Sequence, residues 1–279
     1  MPNQTRTPRR GPLRPTRKGR IALIVTGAVV VAAAVVVPLT MTGDEKGPTA
    51  LTVPEGWRSS QVYDAVDKAL DLPAGATRKA VPKAKLRLPD EAGGNPEGYL
   101  FPATYPIDDK STPESVLSYM VDTATKRFDG SRATASGAPT SVNPYQTVTV
   151  ASIVEAEADN EEDMGRVARV IYNRLGHGMP LQMDSTINYA LNRSTLDTSH
   201  QDTKADSPYN TYARKGLPPS PISNPGDTAL KAATRPTRGD WLYFVTVKPG
   251  DTRFTSDYAE QQRNVAEFNK EQGNTGKDS

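Results

Sequence analysis

Apolar residues recur along most of this chain at the three-to-four-residue spacing of amphipathic helices, broken by short runs rich in proline and glycine. LTVPEGW reads as a short strand and a Pro-Glu-Gly turn. Val62, Ala65, Val66 and Ala69 then mark a helix capped by Ser59 or Ser60. Residues 73–96, rich in Pro, Gly, Ala and Lys with weak periodicity, read as a linker. PEGYLFPATYPI at 96–107 sets aromatics between prolines, which excludes a central strand and predicts an ordered, well-packed loop. Ser111-Thr-Pro-Glu114 predicts a capping box opening a helix to about Phe128, followed by a loop over 129–144. Further helices are predicted from Thr147 to Ala158, from an Asn160 cap through Leu175, over 184–191 and over Asp227–Ala233. Between them, 197–225 is rich in Asp, Ser and Pro and is expected to be a long surface loop. WLYFVTV at 241–247 predicts a strand and Asp257–Asn269 a last helix. No internal repeat is visible. The class is α+β, mainly helical with a small β-sheet.

One apolar run has no such period. Ile21 to Val37 carries no charge, and extending it to Met41 gives 21 residues. As a helix this is about 30 Å long, the thickness of a bilayer's hydrocarbon core. Seven basic side chains and no acidic one lie in residues 1–43. The pattern predicts a single transmembrane helix over 21–41 with a cytoplasmic basic tail over 1–20. The rest of the chain is then outside the cell membrane. A cleaved signal peptide is the alternative; its apolar region would be shorter, roughly 7–15 residues, and end in a small-x-small site.

Charge changes the picture in one respect. Of 34 basic and 32 acidic residues, 27 and 32 respectively lie beyond residue 43. That part is mildly acidic, which argues against a nucleic-acid partner. The absence of cysteine excludes a thiol nucleophile, a zinc–cysteine site and disulfides. With only His177 and His200, both read as surface residues, neither a metal nor an organic cofactor is expected.

Candidate chemistry centres on VASIVEAEA at 150–158. At the helical step of about 100° per residue, Val150, Ala151, Ile153, Val154 and Ala158 fill one arc, with Glu157 in its middle and Glu155 at its edge. A carboxyl on an apolar face keeps its proton to higher pH, as the general acid for a sugar leaving group must. The alternative is an ion pair between Glu157 and Arg166 or Arg169. Asp184-Ser-Thr186 reads first as a helix cap. Pro208-Tyr-Asn-Thr-Tyr212 combines aromatics, an amide and a hydroxyl, as carbohydrate clefts do, though ordinary turns use them too. Ser152, Ser185 and Ser199 have no convincing triad partners.

These segments, in order, resemble the YceG-like (MltG-type) endolytic murein transglycosylases: EGYLFPATY, ASIVEAEA, RVARVIYNRL with GMPLQMDST, YNTY, GLPPSPISNPG, LKAA and LYFV. The resemblance covers roughly residues 51–269. It implies cleavage of the β-1,4 bond between N-acetylmuramic acid and N-acetylglucosamine in peptidoglycan, with attack of the muramyl C6 hydroxyl on C1 to leave a 1,6-anhydro end. Because the nucleophile is intramolecular, a single carboxyl can serve as acid and then base, where ordinary glycosidases use two.

The resemblance maps the essential acid onto Glu157, with Glu155 supporting or alternative. It puts Gln182, Asp184, Thr186, Tyr209, Asn210 and Tyr212 in the cleft, binding sugars or holding loops. Expected partners are glycan strands, the cell membrane, and polymerases or penicillin-binding proteins. The implied organisation is a spacer and reduced LysM-like segment over 42–95, a catalytic domain over 96–270 and a tail over 271–279. Two departures stand out. The family often has proline after the Asp of its LQxD motif, where this chain has Ser185. Its usual LysM-like module is here reduced to a VPEGW-to-helix piece, expected to serve packing or spacing. Two other readings share the extracytoplasmic position: a non-catalytic peptidoglycan-binding scaffold, and a muramidase-type hydrolase with Asp184 as second carboxylate.

Overall fold

Helix α4 (Pro144–Glu157) is the element around which the others are arranged. In this computed structural model, residues 49–133, 142–193, 199 and 201–275 are described. The expected membrane span over 21–41, the basic tail and His200 lie outside them. Among the described residues no helix is long and apolar enough to cross a membrane.

The first half of the fold surrounds a two-stranded antiparallel sheet, β1 (Thr49–Thr52) with β2 (Thr104–Ile107). Here the structure corrects the loop expected at 96–107: its last four residues are a strand. Both strands are edges, and Pro106 is tolerated there for that reason. Helix α1 (Ser59–Ala69) starts from Arg58, not from a serine cap. The N–H and hydroxyl of Ser59 instead go to the buried Glu97 carboxylate, at 2.9 and 3.1 Å. The expected linker over 73–96 is also corrected. It contains α2 (Ala76–Ala80) and two 3-10 turns, secured by Asp67, which accepts from Gly75 N and Thr77 N at 2.7 Å each. The boundary expected between residues 95 and 96 falls between β1 and β2, which pair in one sheet.

Helix α3 (Pro113–Ala133) runs past the predicted end at Phe128. The reciprocal bonds at its start join Thr112 and Ser115, not Ser111 and Glu114. Helix α4 begins earlier than predicted, because Asn143 caps Gln146 N at 2.8 Å with Pro144 as the first helical residue. It is buried on every side from Thr147 to Val154, enclosed by α5 (Glu161–Gly176), α6 (Asp184–Ala190) and α7 (Asp227–Thr234). A helix so enclosed needs no polar face. Its buried hydroxyls are satisfied locally, Thr149 Oγ1 to Tyr145 O and Ser152 Oγ to Thr149 O. Asn160 caps α5 as expected, through Asp163 N.

The expected surface loop over 197–225 instead turns inward at its end. Ser220, Ile222, Ser223 and Asn224 are buried, because Ile222 N donates to Ser152 Oγ and Ser223 Oγ to Ser152 O. Asn224 accepts from Leu100 N at 2.8 Å and donates to Trp57 O at 2.8 Å, fastening three distant segments together. Gly98 permits this approach. It has φ +84°, and a Cβ there would lie 2.5 Å from Pro221. The predicted strand at 241–247 is β3 (Tyr243–Lys248), paired with an unpredicted β4 (Asp251–Thr255) and covered by α8 (Tyr258–Thr275). The protein is α+β and mainly helical, with two small sheets where one was expected.

Candidate active site

Glu157 is the last residue of α4, since Ala158 turns extended (φ −149°, ψ 144°). That break aims the carboxyl at the start of α6, where Ser185 meets it. Ser185 Oγ donates to Glu157 Oε1 at 2.6 Å and Ser185 N donates to the same oxygen at 3.3 Å. Burial pushes the Glu157 carboxyl above its ordinary range, the Ser185 bonds draw it partly back, and the charge of Asp184 adds a smaller push upward. Arg166 and Arg169 are engaged elsewhere. Arg166 bonds Glu162 and lies near Asp163, while Arg169 donates to the carbonyls of Pro236 and Thr237. The ion-pair alternative for Glu157 is therefore not the arrangement found.

Asp184 is not the cap expected of it. Met183 holds that position and Asp184 begins the helix, its Oδ1 accepting from the Tyr212 hydroxyl at 2.5 Å. Two loops are pinned together to bring these groups near Glu157. Gln182 N donates to Thr211 O, Met183 N donates to Thr211 Oγ1, and buried Thr186 shares a 2.9 Å hydroxyl contact with Thr211. Gln182 is exposed and adopts φ +53°, its side chain within 3.3 Å of an Arg174 nitrogen. Asn210 is buried. Its amide donates to Thr203 O and Ala205 O and its oxygen accepts from Tyr212 N and Ala213 N. The Tyr209 hydroxyl meets Ser220 Oγ at 2.7 Å and its ring lies 4.9 Å from that of Tyr189.

The structure therefore gathers Glu157, Asp184 and Tyr212 around Ser185, with Gln182 on the adjoining turn. Thr186 and Asn210 hold the loops, and Tyr209 lies with Tyr189. Glu155 points away from this group and accepts from Gly226 N, at the start of α7, at 3.0 Å. Burial raises it above the ordinary carboxylate range, and neighbouring Glu55 adds to the rise.

Two residues escaped the sequence reading. Ser185 reads in the sequence as a serine without triad partners. Glu97 stood in an aromatic and proline run, where a lone carboxylate in apolar company was the available signal. Glu97 accepts from Ser59 and, at 3.1 Å, from the Tyr189 hydroxyl, and burial raises it too. Among the described residues no three or more His, Asp or Glu side chains cluster as a metal site requires. Three cavities of about 340, 320 and 700 Å³ are lined by other residues than Glu157.

Glu157 is thus a buried carboxyl raised above its ordinary range and held by two donors on one oxygen. The chain belongs to the YceG-like family, whose model matches residues 31–267. It is 38% identical over 168 residues to the endolytic murein transglycosylase of Bacillus subtilis (strain 168), covering 60% of this chain and 46% of that one. It is 33% identical over 244 residues to the protein of that name from Streptococcus pneumoniae (strain D39), covering 78% and 44%. The chain thus spans less than half the length of these curated relatives. The 2.6 Å crystal structure of a yceG-like protein from Listeria monocytogenes matches with a TM-score of 0.64 at 30% identity, over 77% of this chain and 75% of that one.

Proposed function

We propose that this protein is a membrane-anchored endolytic murein transglycosylase. It cleaves the N-acetylmuramic acid–β-1,4–N-acetylglucosamine bond within glycan strands and leaves 1,6-anhydromuramic ends. The observation that carries the reading is the Glu157 carboxyl, raised by burial and held on one oxygen by Ser185. Protonated, it donates to the glycosidic oxygen as the C1–O bond breaks. As carboxylate it accepts the proton of the muramyl C6 hydroxyl, whose oxygen bonds to C1. No water enters, and one carboxyl returns to its starting state.

The names of the bacterial relatives support the endolytic mode and the substrate. The uncharged run at 21–41 behind a basic tail supports a single-pass anchor with the catalytic domain outside the cell. Residues 51–72, in place of the LysM-like module, serve packing: Ser59 supports Glu97 and Trp57 receives Asn224. One observation favours a hydrolase instead, the proximity of Asp184 to Glu157. The two readings part at the product, since a hydrolase leaves a reducing end. Mass spectrometry of muropeptides released from purified peptidoglycan by the wild-type chain and Glu157→Gln tests both.

A further inference from the structure

Ser185 N can only donate, and it donates to Glu157 Oε1, where the Ser185 hydroxyl lands as well. An oxygen that receives two donors has no lone-pair direction left that favours a proton. We propose that Ser185 is the positioning residue for the catalytic acid: it keeps Oε1 as a permanent acceptor, so the transferable proton resides on Oε2. The proposal rests on the reading of Glu157 as the acid. The same two bonds strengthen when the carboxyl gives up its proton, because donors to an ionised oxygen are stronger than donors to a neutral one. Ser185 therefore favours the carboxylate that forms as the glycosidic bond breaks, and sets the pH above which the acid is spent.

The placement is built into the fold. Ser185 is the second residue of α6, where a helix N–H has no intrahelical carbonyl to meet and is free to serve a side chain. Helix α6 is held in register by Thr186 against Thr211 and by Tyr189 against Glu97. Few charges compete for Glu157. Asp184 faces it from α6, and Tyr212, bonded to Asp184, faces it from the 208–212 loop. On α5, Glu161 is paired with Lys231 of α7, Arg166 with Glu162 and Asp163, and Arg169 with carbonyls. On α7, Asp227 is paired with Arg127. On α4 itself, Glu155 turns to Gly226. A proline at this position would supply neither donor.

The test compares the full-length chain in mild detergent with Ser185→Ala, which loses the hydroxyl and keeps the N–H, and Ser185→Thr, which keeps both. The Glu157 carboxyl is titrated by carbon-13 NMR, and kcat/KM is measured against pH with purified glycan strands. In Ser185→Ala the carboxyl titrates at higher pH than in wild type, and the alkaline limb of kcat/KM moves the same way. Its kcat falls about tenfold, the effect of one charge-assisted hydrogen bond. Ser185→Thr restores both readouts. A Glu157 titration unchanged by Ser185→Ala overturns the proposal whatever the activity. A Glu157→Gln variant that retains wild-type turnover overturns the underlying assignment of the acid, and the NMR titration still reads the Ser185 bond separately.

Discussion

Tyr189, near the end of α6, donates its hydroxyl to Glu97 at 3.1 Å, so this short helix is tied at both ends to a carboxyl. At its start Ser185 serves Glu157; near its end Glu97 also collects the N–H and hydroxyl of Ser59 and lies beside Arg58, which covers the Tyr189 ring at 5.1 Å. Replacing Glu97 by Ala leaves the donors of Ser59 and Tyr189 without their acceptor and removes the charge beside Arg58, whose guanidinium keeps Arg193 O, and costs about 3 kcal/mol. Tyr189→Phe removes one bond and costs about 1 kcal/mol. Urea unfolding followed by circular dichroism reads both. Equal, small losses for the two variants would show that Glu97 is not the junction.

Asn224→Ala is expected to destabilise by about 2 kcal/mol, because Leu100 N loses its acceptor in the interior and Trp57 O keeps only the backbone N–H of residue 224. Since these bonds fix the VPEGW and EGYLF segments against the 220–226 turn, peptidoglycan cleavage should fall at temperatures where wild type is fully folded. Differential scanning calorimetry beside an activity–temperature curve checks it. A stability loss with an unchanged activity curve would contradict the link.

Asp184→Asn removes the like charge that helps raise Glu157. The alkaline limb of kcat/KM should move to lower pH, and the products should keep their 1,6-anhydro ends. Complete loss of turnover at every pH would point instead to Asp184 as an obligatory second carboxylate.

Glu97, Glu155 and Glu157 all bind protons more tightly in the folded chain than the ordinary glutamate value of 4.5. The native state then holds protons that the unfolded state has released, so their contribution is complete below pH 4.5 and is lost as pH rises through the folded values. Asp108, Asp202 and Asp251 are lowered from 3.8 by local hydrogen bonds and lose their contribution as pH falls below that. Thermal stability should therefore rise on acidification from neutral pH toward 4.5 and turn down in stronger acid. Glu157→Gln should flatten the rising part. A Tm that falls steadily from pH 7 to 5 would refute this balance.

The sequence made α5 legible because Asn160 and its apolar spacing act within one helix, and it singled out Glu157 as a carboxyl in apolar company. The reason differs in part from the one-sided arc: α4 is enclosed all round, and Glu157 matters because the helix ends there and turns it toward Ser185. What stayed hidden was made by long-range pairing. Strand β2 exists through Thr49–Thr52, and β4 through Tyr243–Lys248. The inward turn at 220–226 depends on Ser152 and Gly98. Local spacing carries none of these partners, so Ser185 and Glu97 looked like an idle serine and a loop glutamate.

The most direct test of the central claim is muropeptide mass spectrometry after incubating purified peptidoglycan with the full-length chain and with Glu157→Gln. The exchange nearly preserves volume and removes the titratable proton. The account predicts new 1,6-anhydromuramic ends from wild type and none from a folded Glu157→Gln. Reducing muramic ends from wild type, or anhydro ends from the variant at the wild-type rate, would contradict it.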